Sequence, residues 1–427
     1  MVDLSVDLMG IRLKNPFLLA SVPSSTAANM PEAAKAGWAG GVLWGLDAWP
    51  EWGEDKSKQP FSRGYVPREF QPIESGYIKK GGRNWWAYQN NICVPVFNKG
   101  GFQIAERVEA LCRKAKKSGL VLGHNITESD DPEPWLRIAG AAERGGADFL
   151  ELNWSCPYLP DLGMTVGRDI DVQLTLMREL RSRTDLPLMV KFNAMLETDV
   201  LQKMARQAVD EGANGISISN TLPGFIGVDI ETGIPLATEL GMDGKLHGVM
   251  GGISGPAIKP VALRGVADIH RAVDVPLCGI GGITDWKSAV EFMLLGARAV
   301  QVGTAVMFFG YQIVEDMIRG LEEYMERKGY RSIFDFVGST ADRFMVSAPY
   351  GGSAFRQPKY LEVDEEQCTG CGLCVTACSS SSSGSGACTM KNGVAHIDRD
   401  LCHVCYSCRT VCSTSAIVEK WGEGYPL

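Results

Sequence analysis

The sequence predicts an α/β protein, with a (β/α)8 barrel over residues 1–345 and a small α+β, cysteine-rich domain over residues 346–427. Three observations predict it. From Phe17 to about Met325, short apolar runs without period-2 alternation alternate with amphipathic helical patterns; this is how parallel strands buried on both faces read. Eight such strand–helix units over roughly 300 residues are the arithmetic of a closed barrel. Glycine-rich turns follow the last two strands, GIGGIT (279–284) and VGTA (302–305). An open doubly wound sheet would carry its phosphate glycines after the first strand instead.

Taken in order, the predicted strands are FLLAS (17–21), GGVLWG (40–45), LVLGHNI (120–126), ADFLELNWS (147–155), PLMVKFN (187–193), GISISNT (215–221), PLCGIGGI (276–283) and AVQVGTAV (299–306). Helices are expected over 104–119, 133–146, 171–184, 199–213 and 285–297, several running into a glycine, the usual C-terminal stop. Two excursions, 46–100 and 222–256, follow the second and sixth strands and so lie on the C-terminal face, where barrels place their chemistry. The first holds Trp49, Trp52, Trp85, Trp86 and Tyr88, an aromatic cluster that reads as loop packing ahead of a ligand wall. The second reads as a hairpin followed by a mobile loop. VSAPYGGSAFRQP (346–358) reads as a linker and SSSSSGSGA (379–387) as a flexible loop.

The bulk properties exclude several classes. Of 427 residues, 45% are hydrophobic and 22% charged, the balance of a globular protein with ample core. A formal charge of −8 argues against nucleic acid or an anionic membrane as partner. No run of eighteen apolar residues occurs, and the start MVDLSVDLMGIRLKNP lacks a signal peptide's basic and apolar regions. A cytoplasmic location is expected.

Eight C-terminal cysteines form two runs of the same spacing, C-x2-C-x2-C-x3-C: Cys368, Cys371, Cys374, Cys378 and Cys402, Cys405, Cys408, Cys412. A zinc ribbon spreads two C-x2-C pairs about 15–20 residues apart and does not fit. The runs resemble those of bacterial two-cluster ferredoxins, in which the fourth cysteine of each run crosses to the other [4Fe–4S] cluster. That resemblance assigns Cys368, Cys371, Cys374 and Cys412 to one cluster, and Cys402, Cys405, Cys408 and Cys378 to the second. The proline usual after the fourth cysteine is here Ser379 and Ser413. Cys93, Cys112, Cys156, Cys278 and Cys388 are expected to be free thiols.

The two glycine turns lie where barrels bind a phosphate on bare N–H groups. Lys191 ends the fifth strand, and a buried lysine requires an anionic or electron-rich neighbour. Asn153 closes the fourth strand and Asn220–Thr221 the sixth, adding amide and hydroxyl groups to the same mouth; capping is the plainer role for each alone.

NWSCP (153–157), VKFN (190–193), SNT (219–221), GGISGPAIKPVALR (251–264), GIGGI (279–283) and VGTA (302–305) resemble the FMN-binding segments of the dihydroorotate dehydrogenase family. The resemblance covers the whole barrel, and the domain order is similar to that of dihydropyrimidine dehydrogenase flavin subunits. It implies an FMN-dependent oxidoreductase acting on CH–CH bonds. It places the Ala20–Ser21 backbone along the flavin and Lys191 at the flavin's pyrimidine edge. It borders the ribityl chain and ring with Ser219, Ser254 and Gly255, and holds the phosphate with Gly281, Gly282, Gly303 and Thr304. It implies that Asn91, Asn153, Asn220 and Thr221 hydrogen-bond the substrate ring.

Three positions depart from the family pattern. The loop 157–169, where relatives carry a proton-transferring cysteine or serine, has only Tyr158 and Thr165 as hydroxyls. Trp44 stands where relatives carry a flavin-contacting lysine, and Cys93 where pyrimidine enzymes carry a glutamate. Tryptophan and cysteine in place of lysine and glutamate make the mouth more apolar and more aromatic, so the expected substrate is not uracil, thymine or dihydroorotate. Thr165 and Cys93 are the candidate proton carriers, with Asn153 and Asn220 beside the reacting carbon. With no dinucleotide fingerprint after an early strand, electrons are expected to come from an NAD(P)H-oxidising flavoprotein subunit or a ferredoxin, in an assembly with that partner or with further copies of the chain. The alternatives are a dihydropyrimidine dehydrogenase proper, or an electron-transfer subunit without a substrate of its own.

Overall fold

The computed structural model describes residues 2–45, 103–128, 131–155, 170–225, 227–236, 251–344, 359–380 and 385–421, with the shorter stretches 61–65, 87–92, 238–240 and 245–248. By internal contacts the chain divides into two units, Met1–Phe344 and Met345–Leu427.

In the first unit eight parallel strands close into a barrel. They are Phe17–Leu19, Gly40–Leu43, Val121–Ile126, Phe149–Asn153, Leu188–Phe192, Gly215–Ile218, Leu277–Ile280 and Ala297–Val302. Each pairs with its neighbour in sequence, and the eighth closes on the first through Val300–Phe17 and Val302–Leu19. All eight expected strands form, each shorter than its apolar run; most are trimmed at the C-terminal end, where the run continues into a loop, whereas the third loses only its first residue and the eighth starts two residues earlier than expected. Helices Ala105–Lys116, Pro132–Arg144, Ile170–Arg181, Thr198–Asp210 and Trp286–Leu294 match the expected ones to within a turn. Asp131 caps one by accepting from the Glu133 N–H, and Asp285 and Ser288 form a capping box on another. Met30–Ala36 and Ile313–Lys328 end on left-handed Gly37 and Gly329, where only a residue without Cβ sits unstrained. No helix among the described residues is long and apolar enough to cross a membrane.

The sequence reading did not identify an N-terminal hairpin, Val6–Leu8 with Ile11–Leu13. It turns through Met9 and Gly10 at φ 59° and 79°, without the Asn-Gly or Asp-Gly that marks such turns. Its Met9 sulfur lies 2.8 Å from where a Cβ on Gly215 would be, so the hairpin packs at the start of the sixth strand.

The two excursions share one sheet. Phe61–Tyr65 and Ala87–Ile92 from the first pair with Gly251–Ser254 and Leu222–Gly224 from the second, antiparallel throughout. In the far part of the second excursion, where a mobile loop was expected to follow a hairpin, Thr238–Leu240 pairs antiparallel with Leu246–Gly248.

The second unit is α+β. Strands Lys359–Val363 and Ile417–Trp421 pair antiparallel, as do Cys388–Lys391 and Val394–Ile397, with helices Leu373–Ser380 and Ser407–Thr410 between them. Ser379 and Ser380, expected in a flexible loop over 379–387, are instead helical, and their hydroxyls donate to the Thr376 carbonyl one turn back; residues 381–384 lie outside the described residues.

Candidate active site and cysteine centres

Three loops at the C-terminal ends of the barrel strands meet. Thr304 Oγ1 donates to Ser254 Oγ at 2.8 Å, tying the loop after strand eight to the returning second excursion. Gly281 and Gly282 have φ of 121° and 73°. A Cβ on Gly282 would fall 2.9 Å from Gly255 O and 3.0 Å from Lys259 N; one on Gly281 would fall 2.9 Å from Ala262 Cβ. Backbone alone fits here, so the loop presents N–H groups without side-chain cover. A Cβ on Gly303 would lie 3.5 Å from Ala20 Cβ, and Ala20 N–H donates to Val302 O at 3.0 Å. Ala20, Ser254, Gly255, Gly281, Gly282, Gly303 and Thr304 therefore share one place. Ser21 flanks it, its hydroxyl donating to Leu43 O.

Lys191 meets a carboxylate. Its Nζ is 3.4 Å from Glu151 Oε1, with side-chain exposures of 6% and 0%. Glu151 Oε1 also accepts from Asn125 Nδ2 at 2.8 Å, and Oε2 accepts from Ser217 Oγ at 3.0 Å and Gln301 Nε2 at 2.8 Å. Donors from strands three, five, six and eight thus converge on one carboxylate of strand four. Multiple donors are what make a buried ion pair tolerable. Sequence reading found Lys191 but not its partner. The signal was present: Glu151, Gln301 and His124–Asn125 are polar residues inside otherwise apolar strands.

Asn153 and Asn220 are bonded to each other. Asn220 Nδ2 lies 3.2 Å from Asn153 Oδ1 and from the Ser155 carbonyl and hydroxyl, while its Oδ1 accepts the Thr221 N–H at 2.7 Å. Asn153 Nδ2 donates to Thr127 Oγ1 at 3.1 Å. Ser219 bonds to backbone, donating to Asn220 O and accepting the Ala194 N–H. Of Asn91 only the backbone is described, opposite Ser62. Thr165, Tyr158 and Cys93 lie outside the described residues. Trp44 is half-buried, and its backbone N–H donates to Ser25 O. Burial pushes the Cys112 thiol up to about 12 and Cys278 higher still, and both are free, as expected of inert core thiols.

In the second unit, Cys368, Cys371, Cys374 and Cys412 line a space of about 370 Å³. Cys378, Cys402, Cys405 and Cys408 line another of about 300 Å³, together with Cys388. Backbone N–H groups of Ala395 and Val404 reach Cys368 Sγ and Cys402 Sγ at 3.5 and 3.4 Å. The thiols ring open spaces and do not converge on a point: no set of three or more His, Cys, Asp or Glu among the described residues is placed to hold a single ion. Soft thiolates around such a space suit an iron–sulfur cluster. The glycine cradle with two hydroxyls suits a phosphate, and Lys191 an electron-rich ring edge, so the barrel residues fit FMN.

Comparison with known proteins agrees with this chemistry. The dihydroorotate dehydrogenase family model matches residues 91–325, and a 4Fe-4S binding domain model matches residues 361–379. The chain is 31% identical over 341 residues to the catalytic subunit of dihydroorotate dehydrogenase B (NAD(+)) from Pyrococcus furiosus, 79% of this chain and 98% of the relative. It is 37% identical over 212 residues to that subunit from Methanothermobacter thermautotrophicus, 49% of this chain and 66% of the relative. To the NAD-dependent dihydropyrimidine dehydrogenase subunit PreA of Escherichia coli K12 it is 28% identical over 385 residues, 88% of this chain and 85% of the relative. The chain belongs to the dihydroorotate dehydrogenase family, as an iron–sulfur flavoprotein oxidoreductase of the CH–CH type.

Proposed function

We propose that the chain reduces or oxidises a carbon–carbon bond of a small cyclic or aromatic substrate other than uracil, thymine or dihydroorotate. Gly281, Gly282, Gly303 and Thr304 hold the FMN phosphate, Ser219, Ser254 and Gly255 border the ribityl chain and ring, the Ala20–Ser21 backbone lies along the ring, and Lys191 meets its pyrimidine edge. Bound there, FMN supplies exchange between a hydride and single electrons, and iron–sulfur clusters supply the single-electron steps. Asn153, Asn220, Thr221 and Asn91 line the substrate side, and Thr165 or Cys93 carries the proton.

The observation that carries the substrate reading is how the mouth's asparagines are used. An asparagine amide offers two N–H donors and two acceptor positions. Asn220 meets protein partners with both its nitrogen and its oxygen, so Asn220 acts as a bracket and little polar capacity is left to read ring N–H and C=O groups. Trp44 and Cys93 point the same way. A site that holds its polar groups on itself discriminates by shape and apolar contact.

Two clusters are proposed, one in each cysteine-lined space, with Cys412 and Cys378 as the crossing ligands. The electron partner is an NAD(P)H-oxidising flavoprotein subunit or a ferredoxin. The test is anaerobic: dithionite-reduced protein is mixed with uracil, orotate, enones and aromatic acids while flavin reoxidation is followed. Reoxidation by an enone or aromatic acid but not by uracil or orotate is expected; reoxidation by uracil at an enzymic rate would overturn the substrate proposal.

A further inference from the structure

Two parts of the site that lie on different strands are joined by one continuous chain of hydrogen bonds. Asn220 Nδ2 donates to Asn153 Oδ1 at 3.2 Å, and Asn153 Nδ2 donates to Thr127 Oγ1 at 3.1 Å. Thr127 Oγ1 donates to Asn125 Oδ1 at 3.0 Å, and Asn125 Nδ2 donates to Glu151 Oε1 at 2.8 Å. The same oxygen faces Lys191 Nζ at 3.4 Å. Every donor in the chain points the same way, toward Glu151.

That common direction has a cause. A carboxylate only accepts, so the Asn125 group facing it must be the NH2. The Asn125 oxygen then faces Thr127 and commits the hydroxyl hydrogen, which leaves Thr127 a lone pair for the NH2 of Asn153. Asn153 in turn shows its oxygen to Asn220. The buried charge thus orients Asn125, and the Ser155 and Thr221 backbone N–H groups, which donate to the oxygens of Asn153 and Asn220, hold those two amides in the same sense, in an interior where aligned bonds polarise one another.

We propose that Glu151 is a positioning residue that couples the substrate-side amides to the lysine at the flavin edge. A donor withdrawn from Glu151 leaves its charge less satisfied and pulls Lys191 harder, so less of the ammonium's field reaches the flavin. Removing the carboxylate charge has the opposite effect. Lys191 then faces the flavin without a counter-charge and favours the reduced, negatively charged ring. The proposal rests on the reading that FMN lies against Lys191.

The test is the two-electron reduction potential of bound FMN at pH 7, read by spectroelectrochemistry on the full chain. Glu151→Gln is expected to raise the reduced-to-oxidised ratio at fixed potential at least tenfold, a positive shift of about 30 mV. Asn125→Leu and Ser217→Ala, which each remove a donor, are expected to shift it in the negative direction. Both effects should vanish in a Lys191→Met background. Unchanged potentials in variants that retain FMN, or shifts of full size without Lys191, would overturn the coupling. If Glu151→Gln does not fold, the Asn125→Leu and Ser217→Ala pair decides by the same criterion. Wild-type chain purified without FMN would instead fail the function proposed above, and is told apart by its absorbance before any variant is made.

Discussion

Gly282 and His124 show how a single residue's surroundings set what it can do. At φ 73°, with backbone 2.9 and 3.0 Å from any added Cβ, Gly282 cannot become alanine without moving the cradle. A non-glycine residue in this region costs about 1–2 kcal/mol before any clash is counted. Gly282→Ala should therefore lower FMN affinity roughly tenfold or more, measured as flavin per chain, while the barrel keeps its circular dichroism. His124 is wholly buried on strand three beside Gln103, and burial pushes its ring down from 6.5 to about 4. The folded state holds it neutral, whereas the unfolded chain takes up a proton below 6.5. Its contribution is thus fully present above pH 6.5 and is lost as pH falls toward 4. Up to about 3 kcal/mol is at stake by linkage. Denaturant titrations across that window should show the loss, and His124→Gln should flatten it.

At the scale of elements, the strand Gly251–Ser254 joins the two excursions, pairing with Leu222–Gly224 on one side and Ala87–Ile92 on the other. Proline in a central strand removes a ladder donor. Ile253→Pro is expected to raise limited proteolysis at 61–92 and 222–254 together, leaving the barrel strands protected. Cleavage confined to one excursion would mean that the shared sheet is not what holds them. The cysteine runs make a second element-scale prediction. Cys371 and Cys412 line one space and Cys378 and Cys405 the other. Cys412→Ser should therefore abolish the same low-temperature EPR signal as Cys371→Ser, and Cys378→Ser the same one as Cys405→Ser. Pairing by position along the chain, Cys378 with Cys371, would disprove the crossing.

For the whole molecule, the two units differ in what stabilises them. The core of Met1–Phe344 is apolar side chains on every barrel strand. In Met345–Leu427, four of the nine buried core residues described are cysteines: Cys374, Cys378, Cys388 and Cys408. A unit this small depends on its metal for stability. Iron chelation under anaerobic conditions should unfold the second unit while the first retains its FMN and its own melting transition. A single transition lost as a whole would show that the barrel needs the clusters. Intact protein should carry about eight iron atoms per FMN if both spaces hold a [4Fe–4S] cluster.

Much of this was legible in the chain. Parallel strands buried on both faces leave continuous apolar runs, and helices leave a period and a terminal glycine, so eight strands and five helices were read by position. The cysteine spacing and the glycine turns carried their chemistry locally as well. Lys191 could be named, and its need for an anion deduced, because burial of an ammonium has a known penalty. Which anion satisfied it depended on how four strands, far apart in sequence, closed around Glu151. The pairing of 87–92 with 251–254 was likewise hidden, since register between distant strands is a property of packing. So was the bracket role of Asn220, which exists only because barrel closure brings Asn153 and Ser155 within hydrogen-bond reach. Sequence alone determined the barrel strands, five of the helices, the family pattern and the cysteine spacing, whose physics is local. Tertiary structure alone decided which polar groups face one another inside the barrel, because only closure fixes those distances.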